Sequence, residues 1–311
     1  MGEWSKKIGE YGENVVERFL SVIGWDNPAK GIQINCSKQN EEHKNKEGKP
    51  VHTHGIDFLY SYMSPLIDGQ LNNIIISSKF KTEKYPNSPT NLFKDFFEDL
   101  VNTVDCFDSS DQKNQVLEVH NQFSSINDVG VLFWLNNQKD SNDDLINVIA
   151  NARIDVTMDR TIYIMDNKHV AFILDLISYI KAINKYNYSF FYPSTGQNIN
   201  PINRTDNGTI LPVEYINSSV IPIRLENKNN PNEVTFLVGS IDGFDQDSFM
   251  RLMGLAKDMS KHLTGEVIIG FPDYNDLDHK NMVSIAKQGF EDVNFAKTVS
   301  VVNYHNQLSV Y

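Results

Sequence analysis

An aspartate and a lysine on two neighbouring apolar segments are the residues whose types and spacing point to chemistry. Asp57 lies in His54-Gly55-Ile56-Asp57-Phe58-Leu59-Tyr60, and Lys79 in Asn73-Ile74-Ile75-Ile76-Ser77-Ser78-Lys79-Phe80-Lys81. Both runs have strand character. The short linker between them carries Pro65, Asp68, Gly69 and Asn72, so an antiparallel hairpin is the simplest connection. Alternation puts Ile75, Ser77, Lys79 and Lys81 on one face of the second strand. A lysine in such a segment is costly if buried without a partner, and Asp57 on the adjacent strand would supply one.

That grouping suits metal-dependent hydrolysis of phosphodiesters. A carboxylate such as Asp57 holds a hard divalent cation, Mg2+ first and Mn2+ as a substitute, through oxygen ligands and bound waters. The cation polarises the scissile phosphate and acidifies a water. A lysine on the next strand orients that water and stabilises charge developing on the phosphate. Strands hold such groups more rigidly than loops do.

The set resembles the PD-(D/E)XK, or restriction-endonuclease-like, nuclease superfamily over roughly residues 5–135. Gly55-Ile56-Asp57 is similar to the family's Gly-Ile/Val-Asp strand, and Ile74 to Lys81 to its apolar strand ending in x-x-Lys and an aromatic. Gly9-Glu10-Tyr11-Gly12-Glu13, with Leu20 and Gly24 beyond, resembles the family's Gly-x-x-x-Glu helix. The resemblance implies an α/β fold, a mixed sheet flanked by helices, and a metal site of Asp57 and Glu13. It implies catalytic roles for Asp57, Lys79, Ser77 and Glu13. One departure matters: the second acidic position falls on Ser77, a neutral and weaker ligand. Either Glu13 compensates from the helix, or the core is a decayed scaffold that only binds protein or nucleic acid. The opening residues, Gly2 to Glu13, also resemble nuclease subunits of bacterial two-gene anti-phage systems, which implies a second defence-system protein as partner.

Other groups carry less. Asp57 could be a simple turn-proximal aspartate, and Glu13 an exposed acid in the helix. His52 and His54 precede Asp57, yet no third nitrogen or sulfur ligand falls at a sensible spacing, so zinc is not expected there. His54 and Lys81 are the candidate substrate contacts, facing phosphates, although a packed histidine and an exposed strand-end lysine explain them equally well. Cys36 and Cys106 are too few for a disulfide framework or a four-cysteine zinc site. No Gly-rich phosphate cradle and no Gly-x-Ser-x-Gly elbow occurs.

The elements that must position these groups follow from periodicity. Ser5–Ile23 reads as a helix with the stripe Ile8, Tyr11, Val15, Phe19 and Val22, ended by Gly24 with Trp25 turning back onto the core. Residues 36–50 are polar and read as an exposed loop. After the hairpin come a helix near 89–104, a doubly buried strand at 128–135, a helix at 143–152, a strand at 161–165, a helix at 168–185 and a strand at 188–192. The Asn- and Pro-rich stretch 193–209 is the expected boundary, giving a nuclease-like domain at 1–193 and a smaller α/β domain at 194–311 for partner binding or oligomerisation. In the second part, strands are expected near 219–225, 233–240 and 266–271, helices near 245–263 and 277–289, and a strand pair near 298–311.

Composition bounds the rest. The 311 residues are 40% hydrophobic and 22% charged, as in globular proteins. No apolar run approaches the about 18 residues of a membrane span, and the start lacks a signal peptide's apolar core. No membrane association and a cytoplasmic location are therefore expected. Residues 1–90 balance eleven basic against eleven acidic side chains, and the remainder holds 17 basic and 29 acidic ones. The net charge of −12 thus resides after residue 90, which disfavours non-specific nucleic-acid binding there and suits a protein partner, in a homo- or hetero-oligomer. DNA is favoured over RNA as substrate.

Overall fold

The computed structural model describes residues 2–38, 43–45, 48–138, 144–154, 159–200, 204–260 and 265–305. The chain divides into two compact units, Met1–Val170 and Ala171–Tyr311.

The first unit opens with α1 (Gly2–Val22). Gly24, at φ 80°, ends it, and the Trp25 amide donates to the Leu20 carbonyl at 2.8 Å as the fully buried indole turns inward. The buried stripe is Gly12, Val16, Phe19, Leu20 and Ile23, rotated by one residue from the expected one, and Tyr11 is exposed. Gly12 is the reason. A Cβ there would lie 2.3 Å from Phe80 Cβ, so the helix rests on the sheet through a bare backbone, a packing position that counting apolar side chains passes over.

Next come β1 (Ala29–Asn35), β2 (Thr53–Met63), β3 (Gln70–Lys81), α2 (Thr90–Phe107), α3 (Asp111–Val119), β4 (Ser125–Asn136), α4 (Leu145–Ile149) and β5 (Ile162–Met165). The strands form one mixed sheet in order β1-β2-β3-β4-β5. β1 to β3 run antiparallel, and β3 to β5 are parallel. The expected hairpin is therefore present, with Phe58 opposite Ile76 and Met63 opposite Leu71. The strand β1 and the helix α3 were not expected. Most of β1 is exposed, so it lacks a strong apolar signature.

Alternation along β3 assigns its two faces. Ile75 packs with Leu132, Trp134, Phe93, Phe97 and Leu100 against α2, whereas Phe80 meets Tyr11 on α1. Phe19 of α1 likewise meets Phe133 of β4 edge-on. The stretch 36–50 is not simply exposed, because Cys36 and His43 are buried within it.

The second unit is built on α5 (Asn167–Ile183), β6 (Tyr186–Phe191), β7 (Asn207–Gly208), a 3-10 turn (Val213–Tyr215), β8 (Val220–Asn227), β9 (Asn230–Ser240), α6 (Gln246–Met259), β10 (Val267–Phe271), α7 (Asp276–Gly289), α8 (Val293–Thr298) and β11 (Val299–Asn303). Its mixed sheet has the order β11-β10-β9-β8-β6-β7. The division at 170/171 falls inside α5, upstream of the stretch 193–209, because β6 pairs with β8 rather than with the first sheet. Of the strand pair expected near 298–311, β11 is present and residues 306–311 lie outside the described residues. Phe236, Val238, Phe249, Met253, Ile269 and Phe271 form the core of this unit. Among the described residues, no helix is long and apolar enough to cross a membrane.

Candidate active site

β2 loses its regular pleat at Asp57. The β1–β2 register skips the pair Gly31 and Asp57, and the β2–β3 register begins only at Phe58. Ile56 and Leu59 share the α2-side core, although strict alternation would put them on opposite faces. Gly31, at φ 58°, permits the matching irregularity on β1. The half-buried Asp57 carboxylate is released from strand pairing, and its Oδ2 accepts a hydrogen bond from the Ser78 backbone amide at 2.6 Å.

β3 leaves the core just there. Its residues from Leu71 to Ser77 are buried, while Ser78, Lys79 and Phe80 are half-buried and Lys81 is exposed. Lys79 extends along the α2 side, with Nζ 3.3 Å from Asp99 Oδ2 and 5.5 Å from the centre of the Phe96 ring. Burial is the main influence raising the Asp57 carboxyl above its ordinary range. The Ser78 amide and the Lys79 charge pull it down, and Asp99 pushes it up. Partial burial, then the charges of Asp57 and Glu10, raise Glu13, against the opposing pull of Lys30. Glu13 is otherwise an exposed residue of α1. The Gly12–Phe80 contact is what brings that turn of α1 down onto the end of β3.

Asp57 thus lies within electrostatic reach of both Glu13 and Lys79. Ser77 is buried, at 7% exposure, opposite Leu132 of β4. Lys81 is exposed at the last β3–β4 pair, opposite Asn136. His54 lies elsewhere. It is 5% exposed and packs edge-to-face on His43, so its ring does not line a surface groove. Asp99 and Phe96 were missed by sequence reasoning. Asp95, Glu98 and Asp99 are near neighbours on α2, and only packing against β3 singles out the one that meets Lys79.

Carboxylates from a strand and a helix, beside a lysine held over an aromatic ring, can bind a hard cation and a phosphate together. No curated protein matches the chain. Among solved structures, it is similar to the central domain of yeast acetyl-CoA carboxylase at 13% identity, over 73% of this chain and 34% of that one, with a TM-score of 0.26. The chain spans about a third of that protein's length, and so loose a likeness has no bearing on fold or activity. Residues 1–169 match the family described as the GAPS4 protein PD-(D/E)XK nuclease domain, more than half of the chain and all of the first sheet. The chain therefore belongs to the PD-(D/E)XK nuclease domain family of GAPS4 proteins.

Proposed function

We propose that this chain is a divalent-metal-dependent endonuclease that cuts DNA in the cytoplasm as an effector of bacterial anti-phage defence. The observation that supports it best is the position of Asp57, which feels the Lys79 charge and whose own charge raises the Glu13 carboxyl.

The residues present fit a hard cation. Asp57 and Glu13 are carboxylates that repel one another, and both would be relieved by a divalent ion between them. Asp57 and Glu13 would hold it, with Mg2+ the expected ion and Mn2+ a substitute. When bound, the ion supplies Lewis-acid polarisation of the phosphate and a more acidic water.

The chain's own groups do the rest. The Ser78 amide holds the Asp57 carboxylate in one orientation. Lys79 Nζ donates hydrogen bonds to a non-bridging phosphate oxygen and stabilises the charge that grows there. Asp99 and Phe96 position that ammonium before substrate arrives. Lys81, exposed one alternation further along β3, contacts the adjoining backbone phosphate. The second unit serves to bind a second defence-system protein or to form an oligomer.

Ser77 supports a second reading. A buried hydroxyl where the family has an acid removes one ligand charge, and a core so altered could act as a scaffold. Plasmid DNA and total RNA incubated with Mg2+, with EDTA, and with Asp57→Ala or Lys79→Ala protein separate the two. Cleavage of DNA that requires Mg2+ and both side chains supports the nuclease reading. Cleavage that survives both substitutions overturns it, and neither cleavage nor Mg2+ binding by calorimetry establishes the scaffold.

A further inference from the structure

His54 is buried because it joins a cluster that none of the nuclease groups uses. Cys36 just beyond β1, His43 in the β1–β2 connection, His54 near the start of β2 and Cys106 near the end of α2 are between 0% and 5% exposed. One ligand atom from each lies within 4.8 Å of every other. Cys36 Sγ and Cys106 Sγ are 3.8 Å apart, and His43 Nδ1 lies 3.4 Å from the first and 3.3 Å from the second.

Those separations are the edges of a small tetrahedron. Bonds of about 2.3 Å to sulfur and about 2.0–2.1 Å to nitrogen, at tetrahedral angles, give sulfur–sulfur edges of about 3.8 Å and sulfur–nitrogen edges of about 3.5 Å. A disulfide would need about 2.05 Å between the sulfurs, and neither cysteine is in one.

The surroundings are those of ligands rather than of a packed core. His43 turns Nδ1 to the thiols and Nε2 towards Asp105 Oδ2 at 3.7 Å, the carboxylate–histidine arrangement that orients metal-binding imidazoles. The Ser37 amide and hydroxyl both lie 3.4 Å from Cys106 Sγ, as donors to an acceptor sulfur. His54 Nε2 is buried with no hydrogen-bond partner, a cost that a bound cation removes. A cleft of about 300 Å³ beside Cys36, lined by Ser37 and Ser109 to Gln112, offers an entry path.

We propose that Cys36, His43, His54 and Cys106 form a closed tetrahedral Zn2+ site that fastens the β1–β2 connection and the start of β2 to α2. Two thiolates and two imidazoles in a dry tetrahedron select zinc over the hard, oxygen-seeking ions. Binding replaces the two thiol protons, which leave to solvent, and no electron changes hands. With all four positions filled by side chains, the ion is structural.

The full chain, purified under reducing conditions without chelator, is expected to carry one zinc per molecule by plasma mass spectrometry. Exchange with Co2+ should give a thiolate-to-cobalt charge-transfer band with the visible bands of tetrahedral geometry. Cys36→Ser and Cys106→Ser should each lose that spectrum, whereas Asp57→Asn should keep it, which separates this site from the proposed Mg2+ site. Because the cysteine variants could misfold, the wild type supplies its own control: both cysteines should resist alkylation until a strong zinc chelator is added. Substoichiometric zinc with no thiolate–cobalt band in the reduced, folded wild type overturns the proposal. So does a Cys36–Cys106 disulfide recovered from freshly purified protein. None of these readouts depends on nuclease activity.

Discussion

The Ser78 amide reaches across the hairpin to Asp57 Oδ2, at 2.6 Å, where the pairing of β2 with both neighbours is interrupted. An asparagine can accept the same bond but cannot supply the charge. Asp57→Asn is therefore expected to lower DNA cleavage at least about a hundredfold, the usual cost of losing one electrostatic group from an active site. Urea unfolding should move by less than about 1 kcal/mol, since the hydrogen bond survives in neutral form. A plasmid-nicking assay beside a urea titration checks both, and near-wild-type nicking would remove Asp57 from the site.

Lys79 and Asp99 form a part-exposed pair, and such pairs contribute about 0–1 kcal/mol to stability. Their effects on rate should diverge. Lys79→Ala should abolish measurable cleavage, whereas Asp99→Asn, which only releases the ammonium, should cost no more than about tenfold, or about 1.4 kcal/mol. Single-turnover rates at saturating plasmid distinguish them. Equal losses would mean that Asp99 touches the metal or the substrate itself.

Two glycines of α1, Gly9 and Gly12, are expected to behave in opposite ways. A Cβ on Gly9 meets nothing within 4 Å, so Gly9→Ala should stabilise the chain by about 0.5–1 kcal/mol through helix propensity. A Cβ on Gly12 would meet the root of the Phe80 side chain, which cannot swing aside, so Gly12→Val should cost about 1–3 kcal/mol. Thermal and urea unfolding of the two variants test the pair.

Lys113 is buried between Asp108 at 2.6 Å and Asp128 at 2.7 Å, and Asp128 is 1% exposed. Lys113→Met would strand the Asp128 charge, to which the Asn73 side-chain amide still donates, and should cost about 3–5 kcal/mol. Hydrogen bonding from Lys113 holds the Asp108 carboxyl below its usual range, against partial burial. Burial works against the Lys113 charge, yet the two aspartates together raise its pKa. The Asp108 contribution is present above about pH 4 and disappears as pH falls through its lowered value. The Lys113 contribution is complete below about pH 10 and is lost as pH rises through its raised value. The gap between wild type and variant should therefore be widest between those limits and narrow on either side, as urea midpoints across pH would record.

What could be read from the sequence was what is local. The hairpin joining Asp57 to Lys79, the Gly24 stop and the buried strand β4 each follow from a few neighbouring residues and a turn. The Cys–His cluster could not be read in that way, because Cys36 and Cys106 are 70 residues apart and their meeting depends on how α2 packs. The same distance hides the partners that bury His54, so its closeness to Asp57 in sequence leaves a phosphate contact and a packed ring equally open. Asp99 was hidden for a related reason: helix periodicity marks an apolar side but does not say which acid faces a lysine on another element. β6 shows the limit for domains, since an apolar strand carries no label for the sheet it will join.

The parallel ladder between β3 and β4 runs unbroken from Gln70–Ser125 to Lys81–Asn136. During synthesis, β3 emerges and pairs with β2 well before its other neighbour exists, with α2 and α3 still to be made. Through that interval the Ile74-Ile75-Ile76 run is an uncovered, uncharged sheet edge, the kind of segment on which chains aggregate. Parallel pairing across so long a connection is also slow to form. The hairpin that bears the reactive groups thus presents an unpaired apolar strand edge until β4 has been made.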